Sequence, residues 1–250
     1  MIQSTDGVSD FDLDELENAV RYQRWVAAAA MPWLGSRILE VGAGTGNMSR
    51  WLPIRDRLIL TEPDDRLRAL LTEKCTEWAH DGSLVSVVPF SPEADPVDRF
   101  ADERIDTVVS FNVMEHVADD VGALRNLVRL LDLGHDKGLK RLVMFVPAHP
   151  WAYGSLDTAF GHERRYSRAG LRKLLVSVAP RATVTLRHFN VIGLPGWLVT
   201  GRVLRRTSIP PFSIRAFEAI CPIVRPIDDF LHARLRLALG QSLIAVAEWS

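Results

Sequence analysis

Short apolar segments alternate with helical segments along most of this 250-residue chain, and that alternation constrains the fold more than any other feature. Arg37–Val41 and Arg57–Thr61 are apolar runs of strand length, and Asp65–Ala79 returns to the spacing of an amphipathic helix. Strands that alternate with helices form parallel pairs whose two faces are both covered by the helices. The pattern therefore predicts an α/β protein with a doubly wound, mostly parallel sheet.

The same reading extends to the C-terminus. The predicted strands are Arg37–Val41, Arg57–Thr61, Leu84–Phe90, Ile105–Phe111, Lys140–Val146, Ala182–Phe189 and Ser242–Glu248. The predicted helices are Asp12–Leu34, one that begins within Met48–Leu52, Asp65–Ala79, Val117–Leu131, Arg168–Val178 with Ser167 as N-cap, Trp197–Arg205 and Ser213–Leu239. We expect Pro222 and Pro226 to break or kink the last of these.

The length and the 47% apolar content suit one domain spanning residues 1–250. Within it, residues 1–35 form an N-terminal helical segment and residues 194–240 form a helical cap inserted before the last strand. Arginines border apolar positions in this insertion, so peripheral membrane contact and a dimer contact are alternatives to the cap. The chain is expected to be a monomer or a homodimer.

Charge and composition narrow the functional classes. The chain has 30 Lys and Arg against 31 Asp and Glu, which argues against a protein that coats nucleic acid through its overall charge. Cys75 and Cys221 are far apart, and no Cys/His cluster has metal-ligand spacing. The segment Met1–Leu13 lacks the apolar core of a signal peptide, and no apolar run is long enough to span a membrane. These features predict a cytoplasmic protein without a metal.

A glycine-rich turn follows the first predicted strand, in the order Glu40-Val41-Gly42-Ala43-Gly44-Thr45-Gly46. Glycines allow a tight turn and a close approach of a ligand to the backbone. A dinucleotide motif would place a third glycine or alanine where Asn47 stands, and the Glu40 carboxylate would repel a pyrophosphate. The turn therefore favours a cationic ligand and disfavours the alternative of an NAD-dependent oxidoreductase.

Glu62 ends the second predicted strand, where a carboxylate can accept hydrogen bonds from both hydroxyls of a ribose. Glu40 and Glu62 together describe a ligand with an ammonium or sulfonium end and a ribose end. S-adenosylmethionine has this chemistry.

The chain resembles the class I S-adenosylmethionine-dependent methyltransferases in three segments, ILEVGAGTGN (Ile38–Asn47), LTEPD (Leu60–Asp64) and DTVVSFNVMEHV (Asp106–Val117). A fourth segment, Val146–Leu171, is similar to the type 11 and type 12 branch of that family. The resemblance implies a Rossmann-like methyltransferase fold of seven strands with the last one antiparallel. It also implies S-adenosylmethionine as cofactor and S-adenosylhomocysteine as product.

The resemblance implies roles for individual residues. Gly42, Ala43 and Gly44 would cradle the methionine part, and Glu62 with Pro63 would hold the ribose. Phe90 and Ser91 would contact the adenine, although the acid common after the third strand is missing there. The remaining cofactor candidates are Glu40 in the first strand, Asn112 and Val113 after the fourth, and Tyr22 in the first helix, which with Trp25 could close over the cofactor.

The candidate residues for binding and activating the methyl acceptor lie mostly in the long connection after the fifth predicted strand. A hydroxyl acceptor needs a base, and His162 is the first candidate because imidazole titrates nearest to neutral pH. Asp157 and Tyr153 are the other candidate catalytic residues. The candidate substrate-binding residues are His116, His149, Trp151, Arg164, Arg165 and Trp197.

Each of these candidates has a structural alternative. Arg164 and Arg165 could hold an anionic acceptor. Alternatively, together with Arg168, they could form a solvated basic face or pair with Glu163. His116 could cap or pack the helix that it opens, and His162 could only fix its loop. Tyr153 and Trp151 could be pocket wall or core.

The sequence therefore predicts a methyltransferase that acts on a small-molecule acceptor. The methyl group is expected to go to an oxygen atom of a natural product, a glycan or a lipid-like compound. The Asn/Asp-Pro-Pro-aromatic tetrapeptide of base-amine methylators is absent where Phe111-Asn112-Val113-Met114 stands. A nucleic-acid substrate is thus not expected. The alternative is a protein that binds S-adenosylmethionine for another purpose, as a sensor, a scaffold or a cyclase.

Overall fold

The computed structural model describes residues 17–79, 82–134 and 138–250. The Met1–Leu13 segment and the predicted helix start at Asp12 lie outside the described residues.

Seven strands form one sheet in the order β3-β2-β1-β4-β5-β7-β6. The strands are β1 (Arg37–Val41), β2 (Arg57–Thr61), β3 (Val85–Val88), β4 (Thr107–Phe111), β5 (Lys140–Pro147), β6 (Thr183–Phe189) and β7 (Ser242–Trp249). Only β7 runs antiparallel to its neighbours β5 and β6, and the pairs among β1 to β5 are parallel. The predicted α/β fold with an antiparallel last strand is confirmed.

Seven α-helices connect the described strands. They are α1 (Val20–Ala30), α2 (Asp65–Trp78), α3 (Asp120–Leu133), α4 (Ser155–Ala159), α5 (Arg168–Val178), α6 (Gly193–Leu198) and α7 (Pro211–Arg234). Side-chain caps set three of the helix starts, because Asp64, Asp119 and Ser167 each accept a hydrogen bond from a first-turn N–H. The predicted Ser167 cap is among them.

Both faces of the sheet are covered, which explains why its strands are apolar runs and not alternating patterns. Side chains from α3 and α5 pack on one face, around Leu39 and Val108. Side chains from α1, α2 and α7 pack on the other face, around Ile38 and Val109. Two cores on opposite faces of one sheet are what a doubly wound arrangement requires.

The helix predicted to begin within Met48–Leu52 is wrong. The structure has only one 3-10 turn there, Ser49–Trp51, and Leu52 is extended with ψ of 145°. Pro53 follows Leu52, and a residue before proline is driven from the helical to the extended region.

The late insertion departs from its predicted elements. The first predicted helix is α6 followed by a π-helical turn over Val199–Val203, and the second ends at Arg234 instead of Leu239. Helix α7 is continuous through Pro222 and Pro226, so the expected break is wrong, while a kink at these prolines stays a prediction. Both prolines are on the exposed side of the helix, where water can bond to the carbonyls that a proline leaves free.

Helix α7 packs against α1 and β6, so this part of the insertion covers a face of the sheet. The Glu218 carboxylate accepts hydrogen bonds from the backbone N–H groups of Arg21 and Tyr22, at 2.8 and 2.9 Å. A carboxylate at the start of α1 satisfies N–H groups that the helix itself leaves free. The insertion therefore holds the N-terminal helix in place.

Large apolar side chains remain exposed on the insertion, among them Val203, Phe212 and Ile223. No helix in the described part of the chain is long and apolar enough to cross a bilayer. Peripheral membrane contact, a dimer contact, the cap role of residues 194–240 and the cytoplasmic location stay predictions.

Candidate active site

One edge of the sheet collects the predicted functional residues. The strands β1, β2, β4 and β5 all end at this edge, and β7 begins there because Ser242 pairs with Pro147 at the end of β5. Ligands of open α/β sheets bind outside the carboxyl ends of the strands. The topology thus places the glycine turn, Glu62, Asn112 and the loop after β5 on the side where a ligand is expected.

The glycine turn adopts backbone conformations that favour glycine, with φ of +66° at Gly42 and +56° at Gly44. A Cβ on Gly42 would lie 2.6 Å from Cγ2 of Val113, so the turn is in close contact with the segment that follows β4. A Cβ on Gly44 would meet nothing within 4 Å, which leaves open space above that residue. The turn therefore joins the two predicted cofactor segments and leaves room beside them.

Glu62 is the acid that directly follows β2, and it is 6% exposed. Its carboxylate accepts hydrogen bonds from the N–H of Gly44 at 2.9 Å and from the N–H of Asp64 at 3.0 Å. Burial raises the pKa of Glu62, and these two N–H groups oppose that rise. The predicted ribose acid is thus in direct contact with the glycine turn, while Pro63 beside it is exposed.

Replacing Glu62 by Ala should weaken S-adenosylmethionine binding by about 1–3 kcal/mol, the usual cost of losing hydrogen bonds to a charged group. Titration calorimetry measures this change directly. Glu73→Ala is the matched control because Glu73 is an exposed acid on α2. Equal affinities for the two variants would remove Glu62 from the cofactor site.

Glu40 lies under the glycine turn and is 1% exposed. Its Oε2 atom has no hydrogen-bond partner among the described residues. Burial, with a smaller contribution from the charge of Glu62, raises the pKa of Glu40 to about 7. A buried carboxylate oxygen without a partner is costly unless a ligand satisfies it. Glu40 and Glu62 therefore fit a ligand that carries a positive charge.

The remaining cofactor candidates occupy different positions. The Phe90 ring is fully buried and packs edge-on against Phe100, and Ser91 is buried beside it. Asn112 is exposed with φ of +53°. The Tyr22 ring packs against Phe189 and Phe217, and burial raises the pKa of its hydroxyl, which bonds to Asn190 and Ser242, to about 12. Tyr22 thus reaches the edge beside β6 and β7, and contact of these residues with the cofactor stays a prediction.

Asp157 is the centre of a buried hydrogen-bond network in the loop after β5. Its Oδ1 atom accepts hydrogen bonds from His162 Nδ1 at 2.8 Å and from Arg165 Nε at 2.6 Å. Its Oδ2 atom accepts from Gly154 N at 2.9 Å and from Trp197 Nε1 at 3.1 Å. Burial by itself would raise the pKa of Asp157, but the bond from His162 and the charge of Arg165 outweigh burial and lower that pKa. Asp157 is therefore ionised at neutral pH and orients its neighbours.

The side chains of Arg164 and Arg165 form hydrogen bonds with other groups of the protein. Arg165 is 5% exposed, bonds to Asp157 and to the carbonyl oxygen of Ala148, and stacks over the Trp197 ring at 4.6 Å. Arg164 donates to the carbonyl oxygens of Val117 and Ala118 and so braces the loop after β4. Neither arrangement is a solvated basic face, and neither directs these hydrogen bonds toward an acceptor.

The other loop candidates have structural contacts of their own. The Tyr153 hydroxyl donates to the carbonyl oxygen of His162 at 2.6 Å. His149 has φ of +64°, and its ring stacks on His188 with centroids 5.0 Å apart. Trp151 is 51% exposed, so it is not a core residue. Tyr153 thus fixes the position of His162, and an acceptor contact of His149 and Trp151 stays a prediction.

Glu115 is a site residue that the sequence reading missed. It lies three residues after Asn112 in the segment that contacts the glycine turn, and it is 0% exposed. Neither carboxylate oxygen has a hydrogen-bond partner among the described residues, and His162 Nε2 is 4.0 Å from Oε1. Burial raises the pKa of Glu115 to about 8. The available signal was its place between Met114 and His116 in a segment already singled out.

His116 stands beside this acid. Its Nδ1 atom is 3.2 Å from the carbonyl oxygen of Gly161, and its ring centroid is 4.9 Å from that of His162. Burial, with the nearby His162, lowers the pKa of His116 to about 4.

A cavity of about 440 Å³ lies away from these residues, and it is lined by residues such as Trp25, Thr185 and Arg225 from α1, β6 and α7. We place the site by its polar groups and not by this cavity.

A family model described as a methyltransferase domain, of type 11, matches residues 39–134. The matched range includes the glycine turn, Glu62 and the segment from Asn112 to His116. No curated protein is significantly similar to the chain in sequence.

Solved structures share the fold at low sequence identity. One is the putative methyltransferase in complex with the Trm112 methyltransferase activator of Haloferax volcanii, at 15% identity and TM-score 0.58, covering 95% of both chains. Another is magnesium protoporphyrin IX methyltransferase from Synechocystis PCC 6803 with bound SAH, at 15% identity and TM-score 0.51, covering 73% of this chain and 82% of that one. A third is the cyclase SpnF, at 12% identity and TM-score 0.54, covering 91% of this chain and 79% of that one.

The family match and the fold agree with the residues at the carboxyl edge of the sheet. Residues 39–134 therefore carry a class I S-adenosylmethionine-dependent methyltransferase domain, with S-adenosylmethionine as its cofactor.

Proposed function

We propose that this methyltransferase acts on an oxygen atom of a small-molecule acceptor, bound between the Asn112–His116 segment and the loop after β5. One observation carries the proposal, the orientation of His162. Asp157 holds Nδ1 of this ring, which leaves Nε2 directed to the side of Glu115. An imidazole whose second nitrogen is held by a carboxylate is the usual arrangement for acting on a hydroxyl.

The cofactor and the acceptor functions occupy adjacent parts of one edge. The bound cofactor supplies a methyl group on a sulfonium. The backbone of Gly42 to Gly44, with Glu40 and Glu62, would hold it. Val113 touches the glycine turn, and Glu115 and His116 follow within three residues. This short connection supports an acceptor site next to the methionine end of the cofactor.

An oxygen acceptor fits the chemistry of these residues. Displacement at a sulfonium mostly requires alignment of the acceptor and exclusion of water. A neutral hydroxyl must also be activated, and His162 Nε2 is the atom placed for this. The Trp197 ring is parallel to the His162 ring with centroids 6.3 Å apart, and the Phe160 ring lies at 6.2 Å, so aromatic side chains border this histidine. These contacts support an acceptor with an apolar portion.

The test is incubation of the protein with methyl-labelled S-adenosylmethionine and panels of phenols, sugars, carboxylic acids, lipid-like alcohols, amines and active-methylene compounds. We expect label transfer to a hydroxyl compound, located on oxygen by mass spectrometry. Transfer exclusively to nitrogen or carbon compounds would contradict the proposal.

A non-methylating role is the second candidate, since the same fold is found in the cyclase SpnF. The same incubation separates the two. Tight cofactor binding with no label transfer to any panel would favour a sensor, a scaffold or cyclase chemistry.

A further inference from the structure

We infer that Glu115, His116 and His162 form a binding site for one divalent transition-metal cation of the zinc type. One potential ligand atom from each of these three side chains lies within 4.8 Å of the other two. The sequence alone predicts no metal, because it has no acid set or Cys/His cluster with metal-ligand spacing. The inference deepens the proposed function, on which its catalytic meaning rests.

Both histidines are oriented as metal ligands are. His162 Nδ1 bonds to Asp157, so the proton is on Nδ1 and the lone pair is on Nε2. The Nδ1 atom of His116 is beside the carbonyl oxygen of Gly161, an acceptor only, which gives the same tautomer. Ligating histidines almost always donate their other N–H to a carboxylate or to a backbone carbonyl. Here His162 donates to the carboxylate of Asp157, and His116 donates to the backbone carbonyl of Gly161.

Glu115 supplies the independent observation. It is 0% exposed, and neither of its oxygens has a hydrogen-bond partner in the described part of the chain. The neighbouring Arg165 does not neutralise it by contact, because its Nε bonds to Asp157 and its Nη1 to Ala148. Leaving a buried carboxylate without partners costs several kcal/mol. A cation between Glu115 and the two imidazoles would remove this cost.

The distances fit a site that closes slightly on binding. Zn–N bonds of about 2.0–2.1 Å in a tetrahedron place ligand atoms about 3.3 Å apart. His162 Nε2 and Glu115 Oε1 are 4.0 Å apart. All three ligand-atom separations are within 4.8 Å, so closure to tetrahedral spacing needs shifts of about 1.5 Å or less.

Two imidazoles and a carboxylate favour zinc or a neighbouring transition metal over magnesium, which prefers oxygen ligands. Three protein ligands leave a position open, as in catalytic zinc sites. A cation bound to His162 Nε2 would occupy the lone pair of that nitrogen. The cation would then supply the activation that the proposed function assigns to Nε2, by lowering the pKa of the bound acceptor hydroxyl.

The test is titration of the chelator-treated protein with Zn²⁺, followed by calorimetry, and with Co²⁺, followed by visible absorption. We expect one equivalent of either ion, no comparable binding of Mg²⁺, and loss of more than about 100-fold in affinity for His116→Ala and Glu115→Gln. The Asp157→Asn change removes only an outer partner and should cost about 10–100-fold. His116→Ala is the decisive variant, because its side chain is exposed and its loss should leave folding intact.

His232→Asn is the matched control. His232 also contacts a carboxylate, Asp228 at 3.1 Å, but its Nε2 is already bonded to the carbonyl oxygen of Leu239. This variant should bind Zn²⁺ as the wild type does. No stoichiometric binding, or equal affinity in the wild type and His116→Ala, would overturn the inference. Neither measurement needs an acceptor, so zinc binding without methyl transfer would contradict only the proposed function.

Discussion

Replacing His162 by Ala should lower the methyl-transfer rate by about 10²–10⁴-fold, with little change in S-adenosylmethionine affinity. The large effect is expected because Nε2 of this ring is the atom placed to activate the acceptor. The cofactor affinity should persist because His162 contacts Asp157 and the loop after β5, whereas Glu40, Glu62 and the glycine turn would hold the cofactor. Turnover of the acceptor found by labelling, together with calorimetry of cofactor binding, checks both parts.

His162→Asn separates the activating nitrogen from the fold. The Asn side-chain amide can replace Nδ1 as donor to Asp157 but offers nothing at the position of Nε2. This variant should therefore lose as much activity as His162→Ala while keeping the wild-type unfolding free energy. A rate within a few-fold of the wild type in either variant would eliminate His162 as the activating residue.

Asp157→Ala should destabilise the folded protein by about 3–5 kcal/mol, the cost of leaving one partner of a buried ion pair alone. The change leaves the guanidinium of Arg165, a residue that is 5% exposed, without its ion-pair partner. It also removes the hydrogen-bond acceptor of Trp197 Nε1. Asp157→Asn keeps the shape and one acceptor oxygen, so it should cost less. Urea unfolding at constant pH measures the free energies.

The control is Asp229→Ala, because Asp229 pairs with Arg187 at 3.3 Å in a half-exposed position. Exposed pairs contribute about 0–1 kcal/mol, so this variant should be nearly neutral. The pKa of Asp157 is lowered by folding, so its stabilisation is complete above the unfolded value of about 3.9 and is lost as the pH falls through the folded value. The gap between wild type and Asp157→Asn should therefore narrow in acid. Equal losses for Asp157→Ala and Asp229→Ala at neutral pH would refute the buried network.

The proximity of the candidate cofactor residues could be predicted from the sequence because their signals are local. Tight-turn glycines at Gly42 and Gly44 have positive φ, and this requirement restricts residue type at single positions. Glu62 sits at the end of β2, one strand from the turn, because strand ends of a parallel sheet meet at one edge. Residues that follow adjacent parallel strands, such as the glycine turn and Glu62, therefore lie close together in the fold.

The acceptor half could not be predicted in the same way. Arg164 and Arg165 look alike in sequence, but one braces the loop after β4 and the other is buried on Asp157. Trp197 comes from the insertion, 40 residues beyond Asp157, and still donates to its carboxylate. These contacts depend on how loops fold over each other, and no periodicity encodes that.

By itself, the sequence determined the seven strands and the glycine turn after the first of them, because hydrophobic period and backbone conformation act on neighbouring positions. The antiparallel direction of the last strand was implied by the family resemblance. Tertiary structure alone decided that Asp157 is a fully bonded carboxylate and that Glu115 is buried without a partner beside His116 and His162. The physical reason is that the charge state and bonding of a buried carboxylate depend on which groups surround it, and those groups come from distant parts of the chain.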